Sequence, residues 1–436
     1  MKEPRKAALS FIFITLFLDI LGIGLIIPIT PRLVGTFVSD PSAQSRTYGA
    51  FIALYAVMQF LFSPILGALS DKVGRRPVIL GSLAGAGIDY LVMAMAPTLG
   101  LLFLGRLVSG ITGASLTAAT AYIADVSPPE KRAQNFGIIG IAFGLGFVAG
   151  PALGGIVGDF GQKMGLGLRL PFFVAAGLSL VNAAYGAFVL PESLSLANRK
   201  AFSLSRANAF SAIVALKRYP VVLGLAASLC LRNLAEFSLH AVWVLFTAYK
   251  FHWGIRETGI SLALVGIVAA VVQGGLIRPI VRTIGERRAV LVGYGIAAFA
   301  YALYGVAAAG WMMYAIIVVT GFGGIAGPTT QAIISRQIPA NEQGAVQGAL
   351  TSLSSLMGIL APALATTLFG YFISPRAPVH LPGAPFFSSA LLTLAALAMA
   401  ARSLTKNPPP PLIPSPASEP ESGVDDAAPN PDVPLT

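Results

Sequence analysis

The chain alternates between long apolar stretches and short polar breaks, and the apolar stretches are close to one length. Runs of about 20 residues recur at roughly 8–30, 47–69, 78–97, 99–124, 134–158, 169–190, 219–248, 257–281, 288–308, 311–335, 343–372 and 384–404. Twenty helical residues rise about 30 Å, the thickness of the hydrocarbon core of a bilayer. The pattern predicts an all-α membrane protein with twelve transmembrane helices. Several runs contain Gly and Pro, which membrane helices tolerate because neighbouring groups re-satisfy the freed backbone. The first run continues past Pro28 with no small-residue cleavage site, so no cleavable signal peptide is expected.

The polar breaks carry a second pattern. The segment GALSDKVGRRPVIL (67–80) returns in outline 211 positions later, with Gly67, Asp71, Gly74, Arg75 and Arg76 matching Arg278, Arg282, Gly285, Glu286 and Arg287. The register holds from Gly110 to Gly321, Asp125 to Arg336, Pro128 to Pro339, Gly137 to Gly348 and Pro151 to Pro362. A half-length repeat in a membrane protein predicts two pseudosymmetric six-helix bundles with a site between them. The division expected is a first bundle over 1–190, a connecting loop over 191–218 and a second bundle over 219–404. A Pro-, Ser- and acid-rich tail over 405–436 is expected to be disordered. The charges reverse between the copies: acid becomes base at 71/282 and 125/336, and base becomes acid at 75/286.

Composition fits the membrane reading: 55% of residues are hydrophobic and 11% charged, too few charges to cover a soluble surface. The formal net charge of +11 would suit nucleic acid, but its placement does not. With both termini set in the cytoplasm, 19 of the 29 Lys and Arg residues fall on that side, 7 fall in the opposite loops, and Arg106, Arg232 and Arg278 lie within spans. That asymmetry is the positive-inside rule for a multi-pass protein of the cytoplasmic membrane. The lipid bilayer accounts for the basic excess, and no nucleic-acid partner is expected. The single cysteine, Cys230, excludes a disulfide or a Cys-based metal site within one chain.

Ionisable groups inside a membrane are costly and are functional candidates for that reason. Of the 18 acids, Asp19, Asp89 and Glu236 fall well inside predicted spans. Asp19 lies about a dozen residues, or about 18 Å, into its span, near mid-membrane. Desolvation disfavours a charged carboxylate, so a buried acid can exchange protons near neutral pH unless an arginine holds it ionised. The plainer reading of each acid is a permanently paired structural group. Arg106 opens RLVSGITGAS in the fourth span and should face a cavity or an acid rather than lipid. The stripe Gly105, Ser109, Gly113, Thr117 in that span reads as close helix packing. Arg232, Glu236 and His240 share one face of the seventh span, either as a proton path or as a neutralised pair with a bystander histidine.

Two further constellations concern motion. Gly146, Gly150, Gly154 and Gly158 recur every four residues in the fifth span, with Pro151 and Gly155 among them. Together they read as a packing hinge, a close and kinked helix contact. In the 67–77 loop, Asp71 and Arg75 sit four apart and can pair along a helix start. Asp71 can instead meet the positive end of a helix from the other half, leaving Arg75 to reach Asp125. Such contacts would form a cytoplasmic gate with Gly67, Gly74 and Arg76.

These segments resemble the major facilitator superfamily, and within it the drug/proton antiporters of the tetracycline-efflux type. LDILGIGLIIPITPRL (18–33) looks like that group's first helix, and GALSDKVGRRP (67–77) like the superfamily's cytoplasmic loop signature. GRLVSGITGAS (105–115) and GLGFVAGPALGG (144–155) are similar to the fourth-helix and antiporter fifth-helix signatures. YKFHWGIRETGISLALVGI and GERRAVLVG in the second half are also similar to the tetracycline group. The resemblance implies a central cavity and alternating access driven by inward proton flow. Asp19, Asp89 and Arg106 then fall on the group's embedded charges, and Asp71, Arg75 and Asp125 on its cytoplasmic gate. Tetracycline exporters of this kind carry an acid in helix 9 and a histidine in helix 8, where this chain has Ala297 and Ala269. Glu236 is the candidate substitute acid.

The expected function is export of small, partly apolar organic compounds in exchange for protons. Asp19, Asp89, Arg106 and Glu236 would be the proton-coupling set, and the protein would work as a monomer. A symporter or facilitator for a nutrient such as a sugar or organic anion is the alternative, since one fold hosts many functions. A membrane enzyme or receptor is the more distant one. No spaced metal set, Ser–His–Asp constellation or GKS/GKT phosphate loop occurs in exposed segments, so neither a metal nor another cofactor is expected. With no ATP-binding domain, the energy should come from the proton gradient.

Overall fold

The computed structural model describes residues 3–113, 115–127, 132–199, 220–338 and 343–406, and among them every regular element is helical. The expected connecting loop from 200 onward and the tail beyond 406 lie outside the described residues. Twelve spans are long and apolar enough to cross a membrane. Spans 1–6 are Leu9–Gly35, Pro41–Val73, Arg75–Met95, Leu99–Val126, Ile139–Lys163 and Gly167–Val189. Spans 7–12 are Val222–Phe251, Ile255–Ile284, Glu286–Val306, Gly310–Arg336, Val346–Phe372 and Ala384–Thr405. Large apolar side chains such as Phe188, Trp311 and Leu391 stand exposed around the outside, where acyl chains would cover them.

Span 2 shows how local chemistry sets the ends. Hydropathy alone predicts 47–69, but the helix runs Pro41–Val73. The Asp40 side chain accepts a hydrogen bond from the Ala43 amide at 2.7 Å, and Pro41 occupies the first turn, where its missing N–H costs nothing. At the other end Gly74 takes φ +113° and stops the helix, and its repeat partner Gly285 takes φ +79° before span 9. A side chain at either position would be strained, so the two glycines are fixed by the turns they make.

Spans 4 and 10 are each broken in the middle. Span 4 divides into Leu99–Thr112 and Ser115–Val126, and span 10 into Gly310–Gly323 and Ala326–Arg336. The breaks fall at Gly113 and Gly324, which are repeat partners. Broken helices near mid-membrane leave backbone groups free to line a site. Gly113 therefore interrupts the helix that its four-residue stripe predicts as unbroken packing. The stripe still packs, Gly105 on span 3 and Gly113 on Tyr55 and Gln59 of span 2, but the closest approach of span 4 to span 2 is at Gly110, outside the stripe. A β-carbon at Gly110 would lie 2.5 Å from Met58 Cβ and 2.8 Å from the Tyr55 carbonyl.

The packing repeats with the sequence. Span 1 packs on spans 5 and 6, span 2 on span 4, and span 3 on spans 4 and 6; spans 7, 8 and 9 make the corresponding contacts in the second half. The halves meet mainly along two seams, span 2 with span 11 and span 5 with span 8. Both seams are tight at the face opposite the 67–77 loop. Ser45 Oγ donates to the Thr366 carbonyl at 2.7 Å, and a β-carbon on Gly259 would lie 2.6 Å from the Pro151 carbonyl. The Arg32 guanidinium donates to the Trp253 carbonyl at that same face. One core runs across both halves there, joining Leu25, Ile29 and Phe51 to Trp243, Phe246 and Phe369. Toward the 67–77 face each half keeps its own core, around Phe11 and Tyr122 in the first and around Leu225 and Ile333 in the second. The halves are sealed at one face and part toward the other.

Span 5 lies between span 1 and span 8. β-Carbons at Gly150 and Gly154 would approach Gly24 Cα to 2.7 Å and the Leu25 carbonyl to 2.3 Å, whereas Gly155 faces Ile255 and Gly259 across the seam. Overpacking a close contact costs about 1–3 kcal/mol. Gly154→Val should therefore lower the thermal unfolding midpoint in detergent, whereas Gly144→Ala, where a β-carbon meets nothing within 4 Å, should leave it unchanged. Equal melting of the two variants would remove the clamp from this account.

Candidate functional site

The embedded charges gather in two groups, one in each half. In the first, Asp19 on span 1, Asp89 on span 3 and Arg106 on span 4 converge around Tyr55 and Tyr90. Both tyrosines lie within electrostatic reach of all three charges. Asp89 is buried at 1% exposure, with Arg106 and the Ser109 hydroxyl as its polar neighbours. Gly105 makes the space for it: a β-carbon there would stand 2.7 Å from Asp89 Oδ1. The pair Gly105–Arg106 thus admits an acid with one residue and faces it with the next.

Arg106 is held by aromatic faces. Its guanidinium lies 5.0 Å from the ring centre of Phe51 and 5.4 Å from that of Tyr55. Cation–π attraction of this kind is worth about 0.5–2 kcal/mol, rising as water is excluded. Such a seat holds the arginine within electrostatic reach of Asp89.

The second group is on span 7. Arg232 Nη1 lies 2.8 Å from Glu236 Oε2, with Tyr294 and Tyr301 of span 9 in electrostatic reach. Glu236 therefore sits with Arg232 and apart from the Asp19–Asp89 cluster. His240 is exposed and lies within reach of both. Tyr301 is the repeat partner of Tyr90, so the two halves present a tyrosine at matching places beside differently arranged charges. Ala297 is buried against Gly323 of span 10, where a β-carbon would come within 2.9 Å of its methyl. Ala269 is half-buried.

At the 67–77 loop, Arg75 is the hub. Its Nη1 lies 2.5 Å from Asp71 Oδ1, its Nε 3.1 Å from Asp125 Oδ2, and it donates to Ser70 Oγ at 2.8 Å. Asp71 thus pairs within its own half rather than with a helix of the other. In the second half Glu286 pairs with Arg336, the repeat partners of Arg75 and Asp125 with both charges exchanged. A β-carbon at Gly67 would make only an ordinary contact with the Thr117 methyl, and the Arg76 guanidinium donates to the Ala187 carbonyl.

One member of this gate has no counterpart in the expected set. Glu192, just beyond span 6, accepts from the backbone amide of Arg75 at 2.8 Å and from that of Arg76 at 3.3 Å. It caps the start of span 3 as a carboxylate at the positive end of a helix. Gly74 leaves its space, since a β-carbon there would lie 2.2 Å from Glu192 Oε2. The neighbouring Ser193 donates to Asp125 Oδ2 at 3.1 Å, and the Tyr122 hydroxyl donates to the Pro191 carbonyl at 3.1 Å. The chain leaving span 6 is therefore tied into the gate. An acid directly after an apolar span was the available signal, but its partner lies 117 residues upstream.

Two halves sealed at one face, broken fourth and tenth spans and a shared loop geometry define a known architecture. The sequence profile of the Major Facilitator Superfamily matches residues 12–362 and 276–431. The chain belongs to that superfamily. It is a membrane transporter and not an enzyme. The tetracycline resistance protein, class C, of Escherichia coli is 40% identical over 362 residues, covering 83% of this chain and 89% of its own length. The class B protein of Escherichia coli is 36% identical over 85% of this chain and 90% of its own. A bacterial homologue of the human lysosomal transporter Spinster, solved inward-facing and unoccupied, shares the fold. Its TM-score is 0.74 at 17% identity, over 93% of this chain and 98% of that one.

The exchanged charges give a sharp expectation. Arg75→Glu alone should abolish transport, because it sets an acid against Asp71 and Asp125. Reversing all three, as Asp71→Arg, Arg75→Glu and Asp125→Arg, copies the polarity of Arg282, Glu286 and Arg336 and should recover activity in a vesicle transport assay. A triple variant no better than the single one would show that the polarity itself matters. Glu192→Ala should slow transport severalfold while expression is kept.

Proposed function

We propose that this transporter exports small, partly apolar organic molecules across the cytoplasmic membrane in exchange for protons, by alternating access. The 67–77 face and both termini are taken as cytoplasmic, in keeping with the basic residues concentrated there. The observation that carries the reading is the gathering of two embedded carboxylates, Asp19 and Asp89, around Arg106 within the first half, in a molecule whose halves are joined at the far face and part toward the 67–77 face. The tetracycline resistance proteins named above, and the multidrug resistance protein 2 of Bacillus subtilis at 29% identity over 84% of this chain, favour export over uptake.

Proton and cargo compete for the same acids. Ionised, Asp19 and Asp89 attract Arg106 and the polar or cationic part of the cargo. Protonated, they no longer hold either, and the cargo leaves. The gate around Arg75 holds the first half's loop to its own spans while the cytoplasmic side is open. One proton moving in under one pH unit gains about 1.4 kcal/mol, and 100 mV adds about 2.3 kcal/mol, enough to concentrate a neutral cargo roughly 500-fold.

Proteoliposomes with an imposed pH gradient test the coupling, with an amphipathic dye as cargo. Uphill movement that follows the gradient is expected, and movement indifferent to it would reject proton exchange. Asp19→Asn should keep the fold and downhill leak but lose uphill export. Retained uphill export would take Asp19 out of the mechanism, and cargo accumulating in cells that make the protein would favour nutrient uptake.

A further inference from the structure

A second set of polar groups, apart from the acid cluster, surrounds Arg232. Spans 7, 10 and 11 enclose a cleft of about 280 Å³ to which Arg232, Asn233, Gly327, Gln331, Thr351 and Ser354 contribute. Counted from the span ends at the 67–77 face, Thr351 and Ser354 lie 5 and 8 positions in on span 11, Gln331 and Gly327 lie 5 and 9 in on span 10, and Arg232 lies 10 in on span 7, on the side where the halves part. The cleft is smaller than the 300–1,000 Å³ of a whole ligand site, so it suits one end of a molecule.

The arginine is seated with care. A β-carbon on Gly327 would stand 2.9 Å from its Nη1 and 3.2 Å from its Cζ, so the guanidinium rests against the bare glycine and a side chain there would push it aside. Glu236 engages Nη1, and Nε is buried without a hydrogen-bond partner. A guanidinium has five N–H donors in a rigid fork, and among the described residues the hydrogen-bond partner found for this one is Glu236. No carboxylate lines the cleft itself. Its other polar groups are neutral and already aligned: Asn233 Nδ2 donates to Ser354 Oγ at 3.2 Å, and Gln331 Nε2 donates to Gln347 Oε1 at 2.9 Å. Leu229 and Leu350 supply an apolar wall.

A cation facing a cavity with no acid in its lining, among neutral hydrogen-bonding groups and beside an apolar wall, fits one kind of guest. We propose that this cleft is a cargo subsite that takes an oxyanion, a carboxylate or an enolate, carried by a partly apolar organic molecule. The planar fork of Arg232 meets the two oxygens side by side, as guanidinium and carboxylate pair most strongly. The guest competes with Glu236 for the arginine. The acid cluster of the first half then faces the opposite, cationic or neutral, part of the same molecule. The word cargo rests on the exporter reading; the oxyanion subsite does not.

Equilibrium binding to the full chain in nanodiscs, with no gradient, tests it. The probes are 1-pyrenebutyrate and 1-pyrenebutyramide, which differ only at the carboxylate. The wild type should bind the acid at least tenfold more tightly than the amide. Arg232→Gln with Glu236→Gln removes both charges together, leaves no uncompensated ion, and should bring the two affinities within twofold while the amide is bound as before. Gly327→Ala, which leaves both charges but displaces the guanidinium, should lower the ratio as well. A wild-type ratio near one, or a tenfold ratio that survives both variants, would overturn the subsite. A protein that shows the ratio yet moves dye without regard to a pH gradient would keep the subsite and reject proton-driven export.

Discussion

A guanidinium inside a membrane protein cannot shed its charge, so each buried arginine must be answered by its surroundings. The three arginines that organise this molecule are answered in three ways. Arg75, at the start of span 3, is held by two carboxylates and a hydroxyl and is effectively fixed. Arg232 has one carboxylate and rests against a bare glycine. Arg106 lies against two aromatic faces, with Asp89 within electrostatic reach. The differences among them suit the tasks proposed for them: gate, cargo contact and proton-coupled centre. A charge that must change partners during a cycle cannot be tied as tightly as one that holds a resting state.

The internal repeat sharpens this contrast, because it separates scaffold from chemistry. Helix ends at Gly74 and Gly285, helix breaks at Gly113 and Gly324, and the packing of the six spans all coincide between the halves. These features depend on backbone geometry, which tolerates few residue types. The charges obey a looser rule. Arg75 with Asp125 and Glu286 with Arg336 make the same contact with opposite polarity, since an ion pair is indifferent to which side carries which sign. The embedded acids have no such counterpart: Cys230 and Ala300 stand where the repeat would put Asp19 and Asp89. The first half therefore holds the acid cluster alone.

The spans, their number and the repeat were legible in the chain because each depends on local composition or fixed spacing. The Asp71–Arg75 pair was legible for the same reason, being one helical turn apart. Glu192 was not, since its hydrogen bonds reach 117 residues back to a helix start that hydropathy places only loosely. The extension of span 2 back to Pro41 was also missed, although Asp40 and Pro41 together are a recognisable helix start. The small-residue stripe of span 4 marks packing but not the break, for a subtler reason. Four-residue spacing marks residues on one face of an unbroken helix, and Gly113 breaks that helix. The cleft around Arg232 needs spans 7, 10 and 11 side by side, and no single stretch of sequence states that neighbourhood.

If proton exchange works as proposed, the position of the seal offers a route by which a proton on one side chain would be felt by the whole molecule. Coupling between distant events needs an element with two discrete arrangements that both events bias. In the proposed alternating-access cycle the seams between the halves would be such an element, because their glycine-to-backbone contacts are close and tolerate little displacement. Asp19 sits one residue before Ile20, which packs where Gly146 of span 5 has no side chain. From there Gly150 meets Gly24, Gly154 meets the Leu25 carbonyl, and Pro151 and Gly155 meet Gly259 in the other half. The acid therefore lies directly beside the helix that forms one seam. A change in its charge that shifts span 1 by a fraction of an ångström has no slack to absorb it before span 8, and the seam must hold or open.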